Sequence, residues 1–328
     1  MLFRSDALQH AIEKAVADAS HAELAAAAER ISLQYRRSDR AAGSAFLTGQ
    51  TERLAYALTR LPATYAANSA ALGHLRQLWP SAAPRTLLDL GAGSGSASWA
   101  ACALFPSLHS ITLVERDPHL IALGERLAAS AGCSPMSLAT WQAASLTQTA
   151  LPSADLVIAS YVLNELGHEE WADAVHAMWN AARQALVLVE PGTTACFERM
   201  DALRTMLIEE GAHLLAPCPH AQRCPLPAGD WCHFSQRVTR TAQHRLFKRG
   251  DLGYEDEKFS YLIFTRTSEA RAPARILRHP QRRSGHVHLK LCEEDGLRDA
   301  VVSRRSGPAW KIARKAQWGD AWNEAEFV

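Results

Sequence analysis

The run Thr86-Leu87-Leu88-Asp89-Leu90-Gly91-Ala92-Gly93-Ser94-Gly95 changes character halfway along. An apolar segment (Leu87, Leu88, Leu90) stops at three glycines set at alternate positions, Gly91, Gly93 and Gly95. Ser96 to Phe105 then has the Ala-, Trp- and Leu-rich composition of a helix. A strand that ends in a glycine turn and re-enters as a helix is how open α/β sheets bring backbone N–H groups up to a nucleotide-like ligand. Glycine suits the turn because it accepts positive φ and leaves room for close approach. Asp89, just before the turn, is placed to accept hydrogen bonds from an amino or hydroxyl group.

The next element narrows the ligand. Ile111 to Val114 is a β-rich run ending in Glu115, with Arg116-Asp117-Pro118 opening a turn. An acid at the end of the second strand is where such folds grip ribose hydroxyls. The glycines follow Gly-x-Gly-x-Gly rather than the dinucleotide pattern Gly-x-Gly-x-x-Gly. Together, Asp89, Gly91, Ala92, Gly93, Gly95 and Glu115 resemble the S-adenosylmethionine (SAM) site of class I methyltransferases. The same loop on a Rossmann-like domain holding another ligand, or none, is the alternative.

The totals bound what surrounds this domain. A chain of 328 residues is too long for one ordinary core, and 48% hydrophobic with 21% charged residues fits a globular protein. The net charge of +1 conceals an asymmetry: from Cys218 onward there are 20 Lys and Arg against 13 Asp and Glu, and before it 15 against 21. An acidic front and a basic back suggest that the back meets an anion. No apolar run reaches the roughly 18 residues of a membrane span, and Met1 to Asp6 lacks the apolar core of a secretory signal. Seven cysteines in such a chain favour metal over disulfides.

Residues 1–80 read as helical, with Leu8, Ile12 and Val16 at i+4 spacing after a cap at Ser5 or Asp6, and a new segment starting at Pro62. Arg36, Arg37, Arg40, Arg53 and Arg60 punctuate this region and are expected on solvated faces. Pro80 and Pro84 mark the passage into an alternating β/α domain over 81–216. Its third strand is expected at Met136–Trp141, its fourth at Asp155–Ser160 and its fifth at Ala185–Val189. Tyr161, Asn164 and Glu190 fall at strand carboxyl ends, where ligands bind, and are expected mainly to shape loops. Cys102, Cys133 and Cys196 read as core residues.

Cys218, Cys224 and Cys232 lie in a proline-rich stretch, Ala216 to Phe234. Proline resists regular structure, so the stretch reads as a stiff loop presenting thiols, and hence as a metal site. The spacing Cys-x5-Cys-x7-Cys matches neither zinc ribbons nor the tight ferredoxin run. For a fourth ligand there are three candidates. Cys292 ends the alternating strand His286-Val287-His288-Leu289-Lys290-Leu291-Cys292, sharing a face with His286, His288 and Lys290; His220 and His233 compete with it.

Basic residues gather around and after this loop: Arg237, Arg240, His244, Arg245, Lys248 and Arg249, then Arg271, Arg275, Arg278, Arg282, Arg283 and Lys290 with no acid between positions 270 and 292. Ser284-Gly285 and Asp295-Gly296 mark hairpin turns, so residues 217–328 are expected to form a small antiparallel module, with strands in 235–266 completing the main sheet. Arg304, Arg305, Lys311, Arg314 and Lys315, interleaved with Trp310, Trp318 and Trp322, suit phosphate contacts and base stacking on RNA. Arg275, Arg278, Arg282, Arg283 and Lys290 are the candidate RNA contacts.

Several strings carry a closer resemblance: Leu61-Pro62-Ala63-Thr64-Tyr65, Asp89 to Gly95, Glu190-Pro191-Gly192, Cys218-Pro219-His220, Asp230-Trp231-Cys232-His233-Phe234, Tyr254 to Tyr261 and Trp318-Gly319-Asp320. With them the chain resembles the methyltransferase-like assembly factors of the small ribosomal subunit, found in mitochondria and represented in bacteria. The resemblance implies an α/β, Rossmann-like class I SAM-dependent methyltransferase fold with an N-terminal helical region and a C-terminal cysteine-containing β module. It further implies a [4Fe-4S] cluster on Cys218, Cys224, Cys232 and Cys292, with zinc the alternative, and binding to small-subunit rRNA and the assembling subunit by a monomer. The expected compartment is the cytoplasm of a bacterium or the mitochondrial matrix of a eukaryote, with no membrane partner.

Family membership does not by itself imply methyl transfer. No Asn/Asp-Pro-Pro-Tyr motif follows the fourth strand, Gln142 to Ser145 lacks an acid for adenine, and no general base stands out. Catalytic residues stay unassigned. An active SAM-dependent rRNA methyltransferase with a structural metal remains an alternative; a zinc-containing small-molecule methyltransferase is disfavoured by the basic tail.

Overall fold

A computed structural model describes residues 5–36, 47, 49–132, 135–146, 149–167, 169–240 and 253–324. Arg37, Arg40, Cys133, His244, Arg245, Lys248 and Arg249, and the side chain of Arg36, lie outside the described residues. The chain divides into two compact units, each discontinuous in sequence. The first comprises 1–73, 82–189 and 236–257, and the second 74–81, 190–235 and 258–328. This differs from the expected cuts after residues 80 and 216, because several strands and one helix begin in one unit and end in the other.

The first unit opens with helices α1 (Asp6–Val16), α2 (His21–Arg36) and α3 (Gln50–Thr59), and the start of α4 (Leu61–Leu78). The α1 cap is Ser5, whose hydroxyl accepts from the Leu8 N–H at 3.1 Å, satisfying one of the orphan donors of the first turn. Leu8, Ile12 and Val16 are buried on one face as their spacing requires.

A parallel sheet follows: β1 (Thr86–Leu90), β2 (Ser110–Glu115), β3 (Thr140–Ala143), β4 (Ala154–Ser160) and β5 (Ala182–Pro191). They alternate with helices α5 (Ser96–Leu104), α6 (Pro118–Ala128) and α7 (Trp171–Ala181). Pairing places the strands in the order β3-β2-β1-β4-β5, every pair parallel. The central strand β1 is covered on both faces, with Leu87, Leu88 and Leu90 at most 1% exposed, which is why it reads as a continuous apolar run. Each such side chain contributes about 2 kcal/mol by leaving water. This is the order of a doubly wound, Rossmann-like α/β sheet.

The third strand begins later than expected. Pro135–Leu138 is a 3-10 turn that buries Met136, and β3 starts only at Thr140. Pro135 lacks the N–H a ladder needs, so the segment turns before it pairs.

In the second unit, α8 (Thr194–Glu209) is followed by β6 (His213–Ala216), which pairs antiparallel with β8 (Tyr254–Thr265); β7 (Phe234–Thr239) also pairs with β8. A separate antiparallel sheet is built from β9 (Ala274–Ile276), β10 (Gln281–Arg283), β11 (His286–Glu293), β12 (Gly296–Ser303) and β13 (Ala321–Trp322), with the short helix α9 (Pro308–Ala313) beside it. The β10–β11 hairpin turns at Ser284-Gly285, where Gly285 takes φ 89°, a conformation that favours glycine. Val287, Leu289 and Leu291 of β11 enter a core with Ile276, Ala300, Val302 and Trp322.

Candidate cofactor cleft and cysteine cavity

At the carboxyl end of the first unit's sheet lies a cleft of about 530 Å³, within the size range of small-ligand sites. Gly91, Ala92 and Gly93 form one wall, Glu115 to Leu120 another, and Ala144, Ser145, Leu146, Tyr161 and Val162 close it. Leu47, Arg53 and Tyr56 from the helical region also line it.

The three glycines do different jobs. A Cβ on Gly91 would stand 2.3 Å from Val162, so packing requires glycine there; one on Gly95 would meet only the flexible end of Met136 at 2.9 Å, and its φ of 91° is what favours glycine. Gly93 faces open space at φ 57°, leaving its Cα hydrogens to the cleft. Gly95 does not line the cleft but sits at the start of α5.

The expectation that the loop aims its N–H groups at the ligand meets a correction. Gly91 and Ala92 donate to Val114 O at 2.9 and 3.1 Å, Gly95 donates to Ala92 O at 2.8 Å, and Gly93 donates to Glu115 Oε2 at 2.8 Å. All four donors are engaged inside the protein, so the turn is not a phosphate cradle.

Asp89 is likewise not where it was expected. It is 1% exposed and does not line the cleft. Its Oδ2 accepts from Ser98 N at 3.0 Å and Ser98 Oγ at 2.7 Å, fastening β1 to α5, while Oδ1 is buried without a partner. Burial raises its pKa to about 6 against those hydrogen bonds.

Glu115 does line the cleft, but it first organises the loop. Oε1 accepts from Arg116 N and Asp117 N at 2.8 and 2.9 Å, and Oε2 from Gly93 N. A carboxylate has about four acceptor sites, which leaves room for roughly one ligand hydroxyl.

Of the arginines read as solvated, Arg53 lines this cleft and Arg60 supports it from behind. Arg53 pairs with Asp117 at 3.5 Å, and Arg60 makes a two-pronged contact with Glu257 at 3.0 and 3.1 Å. Tyr161, at the strained φ of 58°, donates its hydroxyl to the same Glu257 at 2.9 Å. Glu257 thus fixes a cleft wall, a role no local pattern announces.

The second unit holds the cysteines. Cys218, Cys224, Cys232 and Cys292 all line one cavity, together with His220, Arg204, Arg275, Asp201 and Tyr261. Cys292 is buried while His286, His288 and Lys290 on its face are not, because only Cys292 reaches the cavity. Burial pushes all four thiols up, Cys292 to about 12 and Cys232 strongly. The neighbouring thiols add to the rise at Cys224, Cys232 and Cys292. Such thiols stay protonated unless a cation displaces the protons. Among the described residues no three Cys, His, Asp or Glu side chains are grouped so as to hold a single metal ion.

Of the two competing histidines, His220 lines the cavity, with Nε2 3.5 Å from Cys292 Sγ. His233 is stacked on Trp231 and edge-on to Trp318, outside the lining. Cys196 is buried as read, whereas Cys102 is half-buried on α5.

The candidate RNA contacts separate. Arg275, read as a nucleic-acid contact, is 1% exposed; its Nε and Nη1 donate to Pro217 O and Gly319 O, each at 3.0 Å. It braces the cysteine loop and cannot face a solvent-borne phosphate. Arg278 and Lys290 both pair with Asp230, and Arg278 also stands over Trp318. Arg282 is exposed and caps the carbonyls of Arg314 and Ala316. Arg283 is exposed, as are Arg304, Arg305, Lys311, Arg314 and Lys315.

The profile of the family "Mitochondrial small ribosomal subunit Rsm22" matches residues 50–323. The human protein "Ribosome assembly protein METTL17, mitochondrial" is 31% identical over 285 residues, covering 81% of this chain and 61% of its own length. "Ribosome assembly protein RSM22, mitochondrial" of Saccharomyces cerevisiae is 25% identical over 180 residues, covering 34% of this chain and 29% of its own. The chain therefore spans 61% of the human relative and 29% of the yeast one. Among solved structures, it is similar to magnesium protoporphyrin IX methyltransferase of Synechocystis PCC 6803 with bound SAM, at 12% identity and a TM-score of 0.41, over 76% of this chain and 100% of that one.

Proposed function

This chain belongs to the Rsm22 family of mitochondrial small ribosomal subunit proteins, and from that premise we propose that it acts in small ribosomal subunit assembly as a SAM-binding, iron–sulfur, rRNA-binding factor. The observation that carries the reading is the extent of the family match: residues 50–323 enclose the glycine turn, Glu115 and all four cavity cysteines. An assembly role follows from what the human and yeast relatives are named for, and the partners are the small-subunit rRNA and the maturing particle.

In the cleft, the closed-off N–H groups of Gly91, Ala92, Gly93 and Gly95 disfavour a pyrophosphate, which needs such donors. An ammonium group, such as that of an amino-acid end, asks for acceptors instead and is not disfavoured by them. Gly91 to Gly93 would lie against that end and Glu115 would take a ribose hydroxyl.

In the cavity, the donor set fits a cluster. Four thiols line one space, and the wall also carries two buried guanidinium groups, Arg204 and Arg275, that form no ion pair with a carboxylate among the described residues. Burying such cations costs several kcal/mol unless an anion accompanies them, and a thiolate-ligated cluster is anionic. Cys218, Cys224, Cys232 and Cys292 would hold it. When bound, it supplies a rigid cross-link between the loop and β11.

RNA contact falls to the exposed cations Arg282, Arg283, Arg304, Arg305, Lys311, Arg314 and Lys315, with phosphate contacts supplying affinity. The test is sedimentation of tagged protein through a sucrose gradient, with and without the gene. Association with small-subunit precursors, and accumulation of immature particles in its absence, is the expected result. Free protein at the top of the gradient with normal subunits would overturn the assembly role. Methyl label appearing in the particle's rRNA would add turnover to it.

A further inference from the structure

Arg204 and Arg275 are 3% and 1% exposed, and both line the cysteine cavity. Each uses part of its guanidinium to hold the loop that carries the cysteines. Arg204 Nη2 donates to His220 O and Gln222 O, and Arg275 to Pro217 O and Gly319 O. Each also keeps one buried N–H group with no acceptor, Arg204 Nε and Arg275 Nη2. Asp201 lines the same cavity, yet no ion pair joins it to either arginine among the described residues. A buried, unanswered donor on a cation outside any ion pair costs roughly 1–3 kcal/mol beyond the burial of the charge itself. Side chains placed only to brace carbonyls would not need that charge, since asparagine or glutamine donates as well.

We propose that Arg275 and Arg204 are the counter-charges of the cavity's occupant. Their unanswered N–H groups would donate to sulfur, and the pair would hold the cluster's reduction potential up. The inference rests on the iron–sulfur reading above. Its physics is that a positive charge and hydrogen bonds to sulfur stabilise the more negative, reduced form relative to the oxidised one. The step concerned is the uptake of one electron by the cluster from a mediator, with no bond made or broken. Both arginines line the cavity and each keeps one unanswered donor, so both act in the same direction.

The experiment is a mediated redox titration of anaerobically purified full chain, comparing wild type with Arg275→Gln, Arg275→Lys and Arg204→Gln. Arg275→Gln should move the midpoint to a more negative value by at least the equivalent of a tenfold change in the oxidised-to-reduced ratio, which is 59 mV for one electron. Arg275→Lys, which keeps the charge but not the fork, should fall between. Arg204→Gln should move it in the same direction. Loaded variants whose midpoints equal the wild type would overturn the proposal and leave both arginines as braces. So would failure of every variant to load, since that assigns them to shaping the loop. Wild-type protein with no iron would instead overturn the reading on which the inference rests.

Discussion

The cleft of the first unit and the cavity of the second differ in how complete they are without a ligand. In the cleft, Gly91, Ala92, Gly93 and Gly95 donate within the protein, Glu115 accepts three backbone N–H groups, and Tyr161 is tied to Glu257. In the cavity, four thiols share the lining with two buried cations whose Arg204 Nε and Arg275 Nη2 have no acceptor. A site satisfied by its own backbone is a scaffold that a ligand can visit. One that buries unanswered donors and unionised thiols has its occupant as part of its fold. On the proposed reading, a ligand of the cleft would visit a finished site, and a cluster in the cavity would be structural.

The largest effect should come from emptying the cavity. Oxidative loss of the cluster, or Cys292→Ser, should raise amide exchange in residues 217–233 and 274–293 by at least about 100-fold, equivalent to about 2.7 kcal/mol. Exchange in β1 and β2 should stay slow. Uniform protection after cluster loss would break the contrast between the sites.

Within the cleft, the glycines sharpen it. Gly91→Ala drives a Cβ into Val162 at a left-handed φ and should cost roughly 2–4 kcal/mol. Gly93→Ala, facing open space, should cost only about 1–2 kcal/mol of backbone strain while still blocking the ligand. Equal losses in denaturant unfolding would mean that the two positions are not distinct.

Much of this was legible in the chain. The β1–turn–α5 unit followed from the Leu87–Gly95 pattern, and the β11 alternation placed Val287, Leu289 and Leu291 in a core, because both signals are local and periodic. Arg275 misled because a cation in a run free of acids reads as surface, and only the fold shows Pro217 and Gly319 closing over it. Arg53 and Arg60 misled likewise: their partners Asp117 and Glu257 lie far along the chain, and sequence spacing carries no trace of such pairs. Met136 misled because an apolar residue before a strand resembles the strand itself, while Pro135 had already excluded it.

A smaller change tests the cleft's acid. Glu115→Ala removes one charge-assisted contact worth about 1.5–3 kcal/mol and should weaken SAM binding tens-fold by calorimetry; unchanged affinity would move the ribose contact elsewhere. The smallest effect is on pH dependence. The folded pKa of Asp89, about 6, lies above its unfolded value, so its contribution to stability is greatest in acid and is lost as pH rises through 6. Between pH 5 and 7 that loss amounts to about 1 kcal/mol, and Asp89→Asn should abolish it. A variant that keeps the same slope would assign the titration to another group.

The central claim is that the second unit is built around an iron–sulfur cluster. Metal and sulfide analysis of protein purified without oxygen tests it directly. The account predicts about four iron and four sulfide per chain, with broad absorption near ~400 nm that Cys292→Ser removes. Colourless protein carrying one zinc per chain would contradict it.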